Sequence, residues 1–175
     1  MTNEASLESL VLDAHGLMLP IGLRVDKFSL DIGKSAAVIK PFSLGMQEPA
    51  RFEATIGQES VAEFLEKKGL GGLKDFVVKA DDGVVVIEAT AKIIVELRVA
   101  VTCTLRVENE TKLFVDLESV SVPGPMARNM VEKQLAKANP IFDLAEVAPT
   151  VKMHSVTPES GHILVQGTAD WPQSP

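Results

Sequence analysis

Every odd position from Val85 to Val107 is apolar, while Glu88, Thr90, Lys92, Glu96, Arg98, Thr102, Thr104 and Arg106 hold even positions. Strict alternation puts one side of an extended chain in a dry interior and the other in water. No other feature constrains this chain so strongly. At about 3.3 Å per residue the run would make a straight strand of ~80 Å. A compact domain of this length has a radius of gyration near ~16 Å. The run therefore turns back or curves strongly. Ile94 breaks the wet parity and favours a turn near Ile94–Arg98, although no Gly, Pro, Asn or Asp marks one there.

The remaining segments supply shorter elements. LESLVLDAHG predicts a strand near residues 8–15, and GLRVDKFSLDIG a second over 22–33. Apolar parity changes between Val25 and Phe28, which predicts a bulge or twist near Asp26–Lys27. The stretch 34–49 carries Pro41 and Pro49 and reads as an edge strand or loop. ARFEATI alternates again over 50–56. The period then becomes helical over 57–72, with Val61, Phe64, Leu65 and Lys68 on one face and Gly69 as C-terminal cap. A strand over 73–80 precedes Asp81-Asp82-Gly83, a hairpin signal. Glu108-Asn109-Glu110 is another turn. The following strand shifts parity between Leu117 and Val120, which predicts a bulge near Glu118–Ser119. A second helix runs over 123–140, with Pro125 in its first turn and Asn139-Pro140 as its stop. Two strands, 150–156 and 162–169, close the chain around a turn at Pro158–Gly161. The expected fold is α+β: a strongly curved antiparallel β-sheet wrapped around one or two α-helices. It forms a single domain over 1–175, with an ordered core of about 7–170.

Composition narrows the function classes. A net charge of −7 disfavours nucleic acid and anionic surfaces as general partners. One Trp, no Tyr and seven Phe leave little for aromatic stacking platforms. An aliphatic interior suits a plain core or acyl chains instead. No apolar run approaches the ~20 residues of a membrane span, and the polar, acidic start MTNEASLES is unlike a signal peptide. As the sequence stands, a cytoplasmic location is expected.

The order of ARFEATIGQESVAEFLEKKGL, FVVKADDGVVVIEATAKI and VAVTCTLRVENETKLFVDLESVSVPG resembles the LmeA-like phospholipid-binding family of bacterial envelope proteins. The closing VEKQLAKANPIFDLAEVAPTVKMHSVTPESGHILVQGTA is similar to that family's C-terminal helix and hairpin. The likeness spans roughly Leu7 to Ala169 and rests on element order and apolar spacing. It implies a tubular lipid-binding-like architecture, a location in the cell envelope, and binding of phospholipid or another acylated molecule without chemistry.

The leading expectation is thus a non-enzymatic lipid binder or carrier that needs no cofactor. Acyl chains would lie against Ile87, Ile93, Val95, Leu97, Val99, Val101 and Leu105 of the dry parity. Phe64 and Leu65 of the first helix and Met126, Met130 and Val131 of the second would complete the slot, methionines being adaptable apolar partners. Arg128 and Lys133 would meet a head group, and the tip near Val122–Met126 would touch a membrane surface. Each of these has a plainer reading as core or solvated face. The alternative function is a fully packed protein–protein interaction module with no ligand cavity, presenting an edge strand or patch. An enzyme would need a nucleophile beside a histidine in an apolar cleft. His15 shares a strand face with Asp13, and His154 and His162 could face each other across the last hairpin, a poor metal site with two ligands. Cys103 lies on the dry parity and reads as a small inert hydrophobe.

Overall fold

The alternating run folds back on itself. The computed structural model describes residues 4–39, 42–46, 48–70, 72–92, 96–122 and 124–170. In it the run forms β8 (Val84–Lys92) and β9 (Glu96–Glu108). They pair antiparallel as Val85↔Cys103, Ile87↔Val101, Ala89↔Val99 and Ala91↔Leu97. Odd residues thus sit beside odd residues, and the same parity is dry in β8 and in β9. The reversal falls between Lys92 and Glu96, slightly earlier than expected, and residues 93–95 lie outside the described ones.

Around this hairpin the chain runs β1 (Glu4–Leu7), β2 (Leu10–Met18), β3 (Arg24–Ile32), β4 (Ser35–Ile39), β5 (Phe42–Met46), β6 (Ala50–Gly57), α1 (Gln58–Lys68) and β7 (Leu73–Asp81). After β9 come β10 (Lys112–Ser121), α2 (Pro125–Ala138), β11 (Phe142–Asp143), a 3-10 turn (Leu144–Glu146), β12 (Val151–Glu159) and β13 (His162–Ala169). The fold is α+β and dominated by antiparallel sheet. One five-stranded sheet is ordered β11-β10-β9-β8-β7, a second β12-β13-β6-β3-β2, and a three-stranded sheet β1-β4-β5.

The two five-stranded sheets share the main core. Val78, Ala80, Val85, Cys103 and Val115 of the first meet Val25, Phe52, Ala54, Met153, Ile163 and Val165 of the second. Burying each such valine, isoleucine or phenylalanine contributes about 1.5–3 kcal/mol. Turn-to-turn bonds join the sheets at one end: Gly161 N–H donates to Ala80 O and Gly83 N–H to Pro158 O, both at 2.9 Å. Asp82 (φ 44) and Gly83 (φ 83) make the tight turn that the Asp-Gly pair predicts.

The two expected irregularities differ in kind. β10 slips one residue against β9 between Leu117 and Ser119, leaving Glu118 unmatched and moving the dry parity to Val120. Near Asp26–Lys27 there is no slip. β2 and β3 stay in step from Leu10↔Ile32 to Met18↔Arg24. The dry face still changes, from Val25 to Phe28, Leu30 and Ile32. Gly16, opposite Asp26, has a φ of 65 and is not among the ladder pairs, so the irregularity is a twist without an inserted residue. β3 pairs with β6 only from Lys27 to Asp31, and Asp26 turns its carboxylate to the start of α1. It accepts from Gly57 N–H at 2.6 Å, from the Ser60 hydroxyl at 3.0 Å and from Arg24 Nε at 3.0 Å.

The stretch expected to be an edge strand or loop contains two strands, of which β5 is an edge and β4 is central in its sheet. β4 pairs with β5, and β1 pairs on the far side of β4. Partner numbers fall in step from Glu4↔Val38 through Leu7↔Ser35 to Met18↔Arg24, with no residue gained or lost. β1 with β2, and β4 with β3, are therefore two halves of one long ribbon. Pro158, expected in the last turn, lies within β12, and the turn is Ser160–Gly161.

Candidate functional site

The dry face of the β8–β9 hairpin is covered in two parts. Ile87 and Leu105 pack into the main core against the second sheet, and Leu65 of α1 joins the same cluster. Val99 lies instead in a separate small cluster with Ala91 and with Val131 of α2, flanked by Leu73, Val101, Val120 and Val122. Leu97 is half-buried, as is Phe64, over whose ring Lys68 Nζ sits 5.4 Å from the centroid. Ile93 and Val95, and the side chains of Met126 and Met130, lie outside the described residues. The structure thus divides the expected lipid-contacting set: Ile87, Leu105 and Leu65 are core, and Val99, Val101 and Val131 form the seat of α2.

α2 is held at its C-terminal end. Asn139, its cap, donates from its side-chain amide to Val115 O at 2.8 Å and accepts from Val115 N–H at 3.0 Å. The side chain copies a strand partner and pins the helix to β10. Of the two expected head-group residues, Arg128 forms an i,i+4 ion pair with Glu132 at 2.9 Å, and Lys133 is exposed.

The polar concavities lie on the outer face of the second sheet. An open cleft of ≈ 540 Å³ is lined among others by Asp31, Arg51, Glu53, His154, Ser155 and Thr168. Beside it a smaller one of ≈ 290 Å³ includes Asp13, His15 and Lys27. None of the expected lipid-contacting residues lines either. His154 and His162 do not meet. His154 sits where β12 slips a residue against β13; its Nε2 is 3.0 Å from Thr168 Oγ1 and its Nδ1 3.6 Å from Glu110. His162 Nε2 is instead 3.2 Å from Glu159. Nucleophilic catalysis needs the base hydrogen-bonded to an orienting group. A 3.6 Å separation is too long for that bond, and His154 and Glu110 are both about half exposed. No group of three or more His, Cys, Asp or Glu among the described residues is placed to hold a metal ion. Cys103 is buried, its Sγ 3.3 Å from Val85 O, and burial followed by the nearby Glu118 charge pushes its thiol up to about 11. It is therefore an unreactive thiol.

Neither a protein-family model, nor a curated protein, nor a solved structure matches the chain.

One surface feature escaped the sequence reading. Val11, Leu12, Leu17 and Met18 are 52%, 49%, 42% and 55% exposed, and all belong to β2, the end strand of its sheet. The signal was present in the apolar residues on both parities of LVL and in the adjacent Leu17-Met18. Such a strand needs cover on both faces or an occupied edge. No helix of the described residues is long and apolar enough to cross a membrane.

Proposed function

We propose that the chain is a non-enzymatic interaction module: a packed α+β body that offers an unpaired strand edge to a protein. The observation that carries this reading is β2, an end strand with large apolar side chains in water, beside a core whose dry faces meet each other. Strand addition satisfies the free backbone groups of such an edge and buries its side chains together. Native mass spectrometry of the gently purified chain tests it. Protein–protein assemblies that disappear when Val11 and Leu17 are both changed to Lys are the expected result. Stoichiometric co-purifying lipid, or saturable binding of a fluorescent fatty acid, would overturn it.

A second reading is favoured by the seat of α2. That helix covers a small cluster apart from the main core, is pinned at one end by Asn139, and carries Arg128, Lys133 and Lys137 in an acidic chain. In this reading α2 swings about Asn139 and admits an acyl chain over Ala91 and Val99, with the basic residues meeting a phosphate head group. A curved sheet wrapped around the helices, the LmeA-like resemblance and a cell-envelope location all belong to it. Its test is binding to phosphatidylglycerol vesicles that weakens in Lys133→Glu and is absent with phosphatidylcholine alone.

A further inference from the structure

We propose that the partner at β2 is a second copy of the chain, joined edge to edge about a twofold axis through Ala14. This rests on the interaction-module reading and names its occupant. In the sheet order β12-β13-β6-β3-β2, β2 has a neighbour on one side only among the described residues. The other ends of the two five-stranded sheets are short or carry features that discourage strand addition: β11 has two residues. β7 has Lys74 and Lys79 and slips against β8 between Lys74 and Val77. β12 has Lys152, a slip at His154, and Pro158. β2, LVLDAHGLM, contains neither lysine nor proline and gains or loses no residue against β3, with one irregular position at Gly16.

About Ala14 the outer positions of β2 are alike, Leu10 with Met18 and Val11 with Leu17, and the inner Asp13 and His15 are complementary. An antiparallel copy centred there sets Leu10 against Met18, Val11 against Leu17, Leu12 against Gly16 and Asp13 against His15, each pair occurring twice by symmetry. Gly16, with its positive φ of 65 and no side chain, leaves room for the leucine it faces. The register is selective. Backbone N–H and C=O groups point alternately to the two edges of a strand, so an edge meets its own copy only with equal parities matched. The dyad must then fall on a residue. Centred on Asp13, it sets Asp13 against itself; on His15, His15 against itself. On Leu12 or Gly16 a polar side chain faces an aliphatic one. Ala14 alone sets the Asp13 carboxylate, an acceptor, against the His15 imidazole and apolar residues against apolar ones, the kind of cross-strand neighbours that stabilise a pair. The product is one continuous ten-stranded sheet whose outer face carries Lys27, His15, the second copy's Asp13 and its Ser29 in one row across the seam. An edge-only contact is smaller than the ~1,600 Å² of a standard interface, so dissociation in the micromolar range is expected.

Sedimentation velocity from about 1 to 500 μM, a span that brackets micromolar affinity, tests this. The wild-type chain should pass from monomer to dimer, and Val11→Lys with Leu17→Lys should remain monomeric with an unchanged circular dichroism spectrum. Asp13→Lys, which sets Lys against His15, should weaken association at least about tenfold. Adding His15→Asp to Asp13→Lys should restore it, because Lys then faces Asp. A wild-type chain that stays monomeric, a dimer indifferent to Asp13→Lys, or a double variant that is not rescued overturns the proposal. A monomer that binds no acyl probe removes the dimer alone, whereas uptake of the probe overturns the interaction-module reading.

Discussion

Asp26 shows how one side chain can replace a piece of regular structure. α1 begins at Gly57, which has no side chain to cap it. The carboxylate of Asp26, from a neighbouring strand, fills that role and sits where the helix dipole favours negative charge. Burial pushes the Asp26 carboxyl up, but the Gly57 N–H, the Ser60 hydroxyl and Arg24 together outweigh it and hold it below its ordinary value. A depressed folded value means the stabilisation is present above the unfolded value of ~3.9 and is lost as pH falls through the folded one. Asp26→Ala should therefore cost about 2 kcal/mol at pH 7. The gap between wild type and variant should close as pH drops below about 4. Urea unfolding at pH 7 and pH 3 measures both, and a gap that stays constant would refute the assignment. Cys103 gives a second test at this scale. With its thiol pushed up to about 11 and its side chain 1% exposed, a disulfide reagent at pH 8 should label it only as fast as the fold opens. Prompt labelling of the native chain would count against the packed core. Cys103 was legible from parity alone. Asp26 was not, because its partners Gly57 and Ser60 are distant in sequence and only the fold brings them near.

Among the elements, periodicity carried far and stopped at definite places. Both helices, the dry parity of residues 85–107 and the bulge at Glu118 follow from residue spacing, since an unmatched residue must shift every later side chain to the other face. Deleting Glu118 would restore an even ladder but turn Val120 and Val122 out of the cluster beneath α2. We expect a loss of at least about 2 kcal/mol and a clear fall in melting temperature; an unchanged midpoint would mean that cluster adds little. The β8–β9 reversal was harder to place because no turn residue marks it. At Asp26–Lys27 parity locates an irregularity without telling an inserted residue from a twist, because both carry later side chains to the other face. Gly167 illustrates a limit of another kind. A Cβ there would lie 2.0 Å from Lys152 O and 2.6 Å from the Phe52 ring. Gly167→Ala should therefore part β12 from β13 locally and lower the melting temperature, whereas a glycine in a strand announces only that something comes close.

For the whole molecule, alternation shows that a face is dry but not what covers it. The dry face of residues 85–107 was expected to meet helices or a ligand. It meets a second sheet over Val85, Cys103 and Leu105 and a helix over Ala91 and Val99. Those contacts join residues far apart in the chain, and no local pattern encodes them. The nearest approach to one long continuous strand lies outside residues 84–107. β3 and β4 run in one register from Arg24 to Ile39, interrupted only at Gly33–Lys34. One half of this ribbon is built into the core through β6 and β13. The other half, β4 with β1 and β5, shows no extensive contact with another element among the described residues. Local stability follows packing rather than strand continuity. Hydrogen exchange at pH 7 should therefore change abruptly within one ribbon. Amides of β4 and β5 should exchange at least about a hundredfold faster than those of β9 and β13, with the step at Gly33–Lys34. Equal protection on both sides of that step would show that the ribbon unfolds as one unit. Because β2 lies on the protected side, edge pairing between two copies should slow exchange over Leu10–Met18 and leave the β4–β5 amides unchanged.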